Sequence, residues 1–449
     1  MRDALRRLSL ERLVQLALAA VVLTTVLAAG AILEWIPLAR KLRWGALLAL
    51  AALAGLNALR VRRHGRLDVA LAPVAALLAL GVVSAAWSAT PSLTVGRAGA
   101  LGIVLAIAAC LSFAATARPQ TVDAVLDAVL LGATAVAVGG LLVLVFRHDR
   151  AVQAATTVSP ARYQGLGGGP NMAPMVMALA APIAAHVLLG PRRLAVRVVA
   201  AGLLVLLLGS IVFSGSRGAF AASFAGLFAY AVLGQPEPRR RVAVALGVGA
   251  LLAASLGVGA IPSPAAVNPP EPTGIDPSPA IITPTKGYVD VNAKGLRLQD
   301  DIGHPEIGVA DTERHIRGLL GSSGRSEAWA GAVGQALKRP VAGYGFGTED
   351  SVFVDRYVFF NSNVPENSYI GLFLQLGLVG LVLLVAFAVF ATSRALRTVG
   401  ARSVGACAAV VAAGLVLAIF QSYLYAAGNN ATAAFWISGF LLFATTADA

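Results

Sequence analysis

The chain has 449 residues, of which 57% are hydrophobic and only 13% charged, with a formal net charge of +13 and a mean hydropathy of +0.77. A chain this apolar and this poor in charge is excluded from the soluble globular class. Its basic balance fits membrane topology and attraction to anionic headgroups, and nothing in it points to nucleic acid.

Crossing about 30 Å of hydrocarbon takes about 20 apolar residues in a helix, because lipid offers the backbone no outside hydrogen-bond partner. Apolar windows occur at 13–33, 44–59, 69–87, 98–115, 124–146, 172–189, 194–213, 219–233, 242–261, 369–391, 404–423 and 431–443. The expected fold is an all-α integral membrane protein of about 12 transmembrane helices with one large extracytoplasmic loop containing short amphipathic helices. Three parts follow: an N-terminal bundle of about nine spans over 1–261, the loop over 262–365, and about three C-terminal spans over 366–449. The first window is too long for a removable signal and lacks a small-residue cleavage site, so it reads as a retained helix. Cys110 and Cys407 fall inside windows and read as buried apolar thiols.

Cytoplasmic loops accumulate Arg and Lys. Arg2, Arg6, Arg7 and Arg12 place the N-terminus inside, and alternate connections then carry Arg60, Arg62, Arg63 and Arg66, Arg192, Arg193 and Arg197, Arg239 to Arg241, and Arg394, Arg397 and Arg402. Both termini are thus expected to be cytoplasmic and the long loop extracytoplasmic. Only Arg40, Lys41 and Arg43 run against this assignment.

The loop opens with a proline-dense strap, Pro262, Pro264, Pro269, Pro270, Pro272, Pro277, Pro279 and Pro284, a composition that favours an extended polyproline-like course. Residues 286–324 receive no fold assignment. From Arg325, the recurrence of Trp329, Ala332, Val333, Ala336 and Leu337, closed by Lys338, Arg339 and Pro340, predicts an amphipathic helix of about four turns. The following Gly343, Tyr344, Gly345, Phe346 and Gly347 read as a structural turn and not as a nucleotide fingerprint. A second short helix is expected from about Glu349 to Tyr357.

Two positions carry the candidate chemistry. Arg217 sits in a short outside turn with Ser214 and Ser216. It is either a snorkelling anchor or a cation for phosphate, since guanidinium matches phosphate oxygens bidentately and the helix that follows adds its positive dipole end. Glu366 precedes the span near Tyr369; it is either a first-turn acid favoured by the helix dipole or a general base at the mouth of the bundle. Asn367 and Ser368 stand beside it to orient a sugar hydroxyl. Arg97, Arg162 and Arg325 are further outside cations near helix ends, and Arg162 leads into a glycine-rich segment ending at Pro170 and Asn171. The loop carboxylates Asp290, Asp300, Asp301, Glu306 and Asp311 match no known metal-ligand spacing, and neither metal nor cofactor is expected.

The ordered set of Ala86, Trp87 and Ser88 with Pro91 and Arg97, the 162–171 segment, Ser214 to Arg217, Arg325 with Trp329, Pro340 and Gly343, and Pro365 to Tyr369 running into Gly377 and Gly380 resembles the O-antigen ligase and O-antigen polymerase family. The resemblance covers most of the chain in order. It implies a GT-C-like membrane glycosyltransferase, inverting and metal-independent, that takes a glycan from a polyprenyl (undecaprenyl) diphosphate carrier at the outer face of the bacterial inner membrane. Arg217 would contact the diphosphate and Glu366 the acceptor, with Arg162, Arg325, Arg97, Ser216, Asn367 and Asn171 as substrate-binding residues. Family ligases usually carry His where this chain has Glu366, which favours the polymerase-like members, with ligation to a lipid core as the alternative. Partners implied are the lipid-linked donor, a glycan or glycolipid acceptor, membrane lipids and a chain-length regulator protein. The rival from another class is a transporter of polysaccharide or lipid-linked oligosaccharide, which would place ionisable residues at mid-membrane; the apolar windows hold almost none.

Overall fold

The structure, a computed structural model, describes residues 9–62, 64–154, 161–259, 288–292, 295–299, 325–353, 362 and 364–444. The helices are α1 (Leu10–Leu27), α2 (Ile36–Arg60), α3 (Ala72–Val83), α4 (Pro91–Ala117), α5 (Gln120–Phe146), α6 (Met172–Leu189), α7 (Leu194–Ser214), α8 (Arg217–Leu233), α9 (Pro238–Gly259), α10 (Arg325–Ala336), α11 (Ser368–Arg397), α12 (Arg402–Phe420) and α13 (Thr432–Leu441). Every apolar window coincides with one of them. Ten helical segments are long and apolar enough to cross a membrane, while Arg217–Leu233 and Thr432–Leu441 are shorter apolar helices. The protein is therefore an all-α multi-pass membrane protein. Large apolar side chains such as Val145, Phe146, Leu194, Val205 and Leu246 point outward, as expected where the surroundings are hydrocarbon.

Small residues set the helix spacing. The most extensive helix contact is α8 on α12: a Cβ on Gly226 would come within 2.9 Å of Ala413 Cβ, and one on Gly218 within 2.5 Å of Phe420 Cβ. Backbones this close recover by dispersion what apolar burial cannot supply in lipid. The last helix inserts Phe435 and Trp436 beside Phe387 and Tyr423, and Trp436 Nε1 donates to Leu424 O at 2.7 Å.

The α11 helix is broken. Gly377 has φ 62° and ψ −162°, which leaves peptide groups on both sides of the break without helical partners. The glycine-rich turn after α10 supplies them. Tyr344 N donates to Leu374 O and Gly345 N to Gln375 O, while Leu378 N donates to Pro340 O and Val379 N to Val341 O. Irregular backbone in a membrane protein persists only where protein satisfies it, and this turn is built into the break. Phe346 N also donates to Ser84 Oγ, and Trp87 Nε1 to Ala342 O.

Tyr288–Asn292 pairs antiparallel with Gly295–Gln299, in the stretch to which the sequence assigned no fold. The amphipathic helix ends at Ala336, about a turn shorter than expected. The second short helix covers Glu349–Val352 and stops at Phe353, which is extended at φ −101° and ψ 114°, short of the expected end near Tyr357; residues 354–357, like the proline strap, Asp300, Asp301, Glu306 and Asp311, lie outside the described residues. Among the described residues no cluster of His, Cys, Asp or Glu could hold a metal ion.

Candidate active site at one end of the bundle

The turn between α7 and α8 is fixed first. Gly215 takes the left-handed conformation, φ 60° and ψ 24°, which terminates α7 as a C′ glycine does. Ser214 Oγ donates to Ile211 O at 2.7 Å and accepts from Ser216 N at 3.1 Å. Arg162 lies behind the turn, only 6% exposed, with Nε donating to Ser214 O at 2.7 Å and Nη2 to Asn171 Oδ1 at 2.9 Å. Asn171 in turn is the N-cap residue of α6. Arg162 and Asn171 thus brace the start of α6 against the turn that presents Arg217, and Ser216, buried, is the N-cap residue of α8.

Arg217 opens α8 and Arg325 opens α10. Arg217 lies close enough to Arg325 to feel its charge. Arg325 Nη2 donates to Glu366 Oε2 at 2.5 Å, in an ion pair whose side chains are 15% and 26% exposed. Glu366 itself has φ 48°, the one described non-glycine residue in the left-handed region. For a side chain of this size that conformation stores roughly 1–2 kcal/mol of strain, and the flanking contacts hold it. On one side Trp329 Nε1 donates to Pro365 O at 2.7 Å. On the other, Asn367 Oδ1 caps α11 by accepting from Tyr369 N and Ile370 N at 3.0 and 3.1 Å. Asn367 therefore uses its amide oxygen structurally. Its neighbour Ser368 is a clasp, donating to Gln421 O and accepting from Tyr423 N and Leu424 N.

Beneath this layer sits a carboxylate the sequence reading did not single out. Glu349, on the short helix after the glycine-rich turn, is 4% exposed. Ser422 Oγ donates to its Oε1 at 2.9 Å and Gln375 Nε2 to its Oε2 at 3.3 Å. The Tyr425 hydroxyl crowds the same spot, over the bare Cα of Gly371, where an added Cβ would meet Tyr425 OH at 1.9 Å and Glu349 Oε1 at 2.4 Å. Burial pushes the Glu349 carboxyl up to about 7, against the opposing pull of the neighbouring Tyr425 and Ser422 hydroxyls and of the Arg97 charge. Ser422 also accepts from Asn367 N at 3.2 Å, which joins Glu349 to the Glu366 layer. Arg97 closes the network from α4, with Nη1 and Nη2 in a bidentate pair with Asp350 Oδ1 and Oδ2 at 3.0 and 2.8 Å and a further bond to Gly347 O. Its forked donors face Asp350, one layer away from the Arg217 and Arg325 pair.

The structure thus brings Arg162, Asn171, Ser216, Arg217, Arg325, Glu366 and Asn367 into one continuous region and sets Arg97 at its margin. Glu349 had one visible signal, an acid directly after a glycine-rich turn, but burial by residues 375, 422 and 425 is a tertiary fact that spacing does not reveal. At the opposite end of the bundle, His186 bridges Asp123 Oδ1 (3.1 Å) and Tyr230 OH (3.2 Å), and Arg192 pairs with Asp127.

Chemically, the region offers closely spaced guanidiniums for an anionic leaving group and one surface carboxylate held by one of them. Residues 201–385, which contain Arg217, Arg325, Glu349 and Glu366, match the O-antigen ligase family. A comparison with curated proteins gives no match.

Proposed function

We propose that this chain, whose residues 201–385 match the O-antigen ligase family, is a multi-pass membrane enzyme of O-antigen or polysaccharide assembly that carries out a specific transfer reaction. The glycan moves from a polyprenyl diphosphate carrier to a hydroxyl of an acceptor sugar at the extracytoplasmic face of a bacterial inner membrane. The observation that carries this reading is the juxtaposition of Arg217 and Arg325, with Glu366 ion-paired to the latter at 2.5 Å.

Departure of a diphosphate from an anomeric carbon builds charge on the leaving oxygens. Guanidiniums held at the site neutralise it, and Arg217 with Arg325 takes that role while Arg162, buried behind the turn, keeps Arg217 in place. The attacking hydroxyl must lose a proton, which Glu366 accepts as general base. Arrival of the diphosphate at Arg325 draws that cation from Glu366 and frees the carboxylate for the acceptor. One carboxylate acting as base, with no second nucleophile, suits a single displacement with inversion.

A carrier-linked acceptor, giving polymerisation, is the preferred reading because Glu stands at 366. Ligation to a lipid core is the second reading, favoured by the family description itself. Transport is less well supported: the ionisable residues gather at the two ends of the bundle, with Arg217, Arg325 and Glu366 at one and Asp123, Asp127 and His186 at the other.

The test incubates purified protein, Arg217→Ala and Glu366→Gln with a polyprenyl-diphosphate-linked oligosaccharide. Longer lipid-linked products from the wild type, lost in both variants, are expected. Near-normal transfer by Arg217→Ala refutes the diphosphate role, and products only on addition of a distinct lipid acceptor convert the reading to ligation.

A further inference from the structure

Arg40, Lys41 and Arg43 are the cations that the positive-inside rule does not place. The structure puts them at the same end of the bundle as the candidate site. Arg40 Nε donates to Ala28 O at the end of α1, and Arg43 Nη1 to Gly428 O, each at 3.4 Å. Gly428 belongs to the connection from α12 to α13, whose beginning carries Ser422 and Tyr425 against Glu349.

Arg43 is half-buried, its guanidinium 5.4 Å from the centroid of its own neighbour Trp44. Among the described residues no carboxylate forms an ion pair with it. It lines a cleft together with Trp44, Leu47, Val22, Asn429 and Asn430. Asn430 is 5% exposed, its Nδ2 donates to Met172 O, and its Oδ1 has no hydrogen-bond partner. Met172 follows Asn171, the residue that holds Arg162, so the cleft and the candidate site share a wall.

A half-buried guanidinium, an unsatisfied amide oxygen, an indole face and a branched apolar wall ask for one amphiphile with three features. Its phosphate oxygens meet the Arg43 fork. A sugar hydroxyl donates to Asn430 Oδ1, and the lipid chain runs along Val22 and Leu47. We infer that this cleft binds the phosphate-bearing glycolipid headgroup of the acceptor. The assignment rests on the lipid-to-lipid transfer proposed above: the donor diphosphate occupies Arg217 and Arg325, so the acceptor's own phosphate, separated from its reacting hydroxyl by at least one sugar, needs a second cationic place beside the first.

The test uses the full chain in phosphatidylcholine nanodiscs and a radiolabelled polyprenyl phosphate carrying one sugar as the probe. The wild type is expected to show two classes of site. Arg43→Ala weakens one class by about tenfold or more, Arg43→Lys, which keeps the charge and loses the fork, weakens it less, and Arg217→Ala affects only the other. Unlabelled phosphatidylglycerol is expected not to displace the probe. Equal displacement by phosphatidylglycerol would make the cleft a general headgroup anchor and overturn the inference, as would unchanged binding in Arg43→Ala. If Arg43-dependent binding is present while transfer is absent in the wild type and Arg217→Ala binds normally, the transfer reading fails and the glycolipid cleft stands.

Discussion

Replacing Glu349 by Gln isolates the contribution of a buried titrating carboxyl. The wild-type carboxyl has an ordinary value of 4.5 and is raised to about 7 in the fold, chiefly by burial. Below about 4.5 it is neutral in both folded and unfolded chains, and its burial carries no ionic penalty. As pH rises from there to about 7 the unfolded chain ionises freely while the folded one does not, so stability falls; above about 7 the loss is complete. A rise of this size corresponds to about 3 kcal/mol, at roughly 1.4 kcal/mol per pH unit. Asp350 adds to the effect, and Tyr425, Ser422 and Arg97 oppose it. Gln mimics the neutral form: its oxygen can accept from Gln375 Nε2 and its amide can donate to the Ser422 hydroxyl. Melting temperatures of detergent-purified protein between pH 5 and 8 should therefore fall for the wild type more than for Glu349→Gln, with the two converging near pH 5 and the variant a few degrees ahead at pH 8. Parallel curves across that range would show that Glu349 does not titrate there and would refute the burial argument.

Arg325→Ala, Glu366→Gln and the double variant form a cycle in which a coupling of about 1–3 kcal/mol in unfolding free energy is expected for a part-buried pair at 2.5 Å; additive effects would mean the pair contributes no stability of its own. Arg217→Ala should lower transfer by on the order of 10²–10³ with little change in melting temperature, read from product formation at saturating donor. Gly371→Ala should destabilise this end by displacing the Tyr425 and Glu349 side chains, because its Cβ would lie 1.9 Å from Tyr425 OH and 2.4 Å from Glu349 Oε1; a wild-type melting temperature would contradict the packing. Trp329→Phe removes the bond to Pro365 O and should cost about 1 kcal/mol of stability, with a larger proportional loss of transfer if the strained backbone at Glu366 depends on it.

Much of the bundle was legible because lipid imposes one local rule, an apolar helix of sufficient length, and composition satisfies it without reference to the rest of the chain. The site was legible only as a set of residues. Arg217 and Glu366 stand out locally, as charges beside apolar spans, and the structure brings them together through Arg325. The division of labour among the other cations was not readable: Arg97 faces Asp350 and Arg162 faces Ser214 and Asn171. These pairings link positions 253, 52 and 9 residues apart, and every outside arginine looks alike in sequence. Asn367 read as a sugar contact because an Asn before a helix is equally a cap, and the cap is what its oxygen does.

The broken helix explains why this end of the bundle can hold so many polar groups at all. Gly377 cannot be replaced without strain: its φ is 62°, and a Cβ would lie 2.2 Å from Val341 O. The break leaves Leu374 O and Gln375 O to bind Tyr344 N and Gly345 N, so the turn at 340–347 is threaded into α11 and not merely laid on it. Gln375 then uses both ends of its amide, accepting from Gly347 N at 2.6 Å and donating to Glu349. Glu349 is thereby tied to the break itself, and through Ser422 to the capping residue of the same helix. Glu366 lies immediately before that cap. A Gly377→Ala substitution should consequently act at a distance, raising proteolytic cleavage within 340–353 and lowering transfer together, although no atom of Gly377 is proposed to meet a substrate. Transfer preserved alongside increased cleavage would separate the break from the site and sink the idea that the kink positions Glu366.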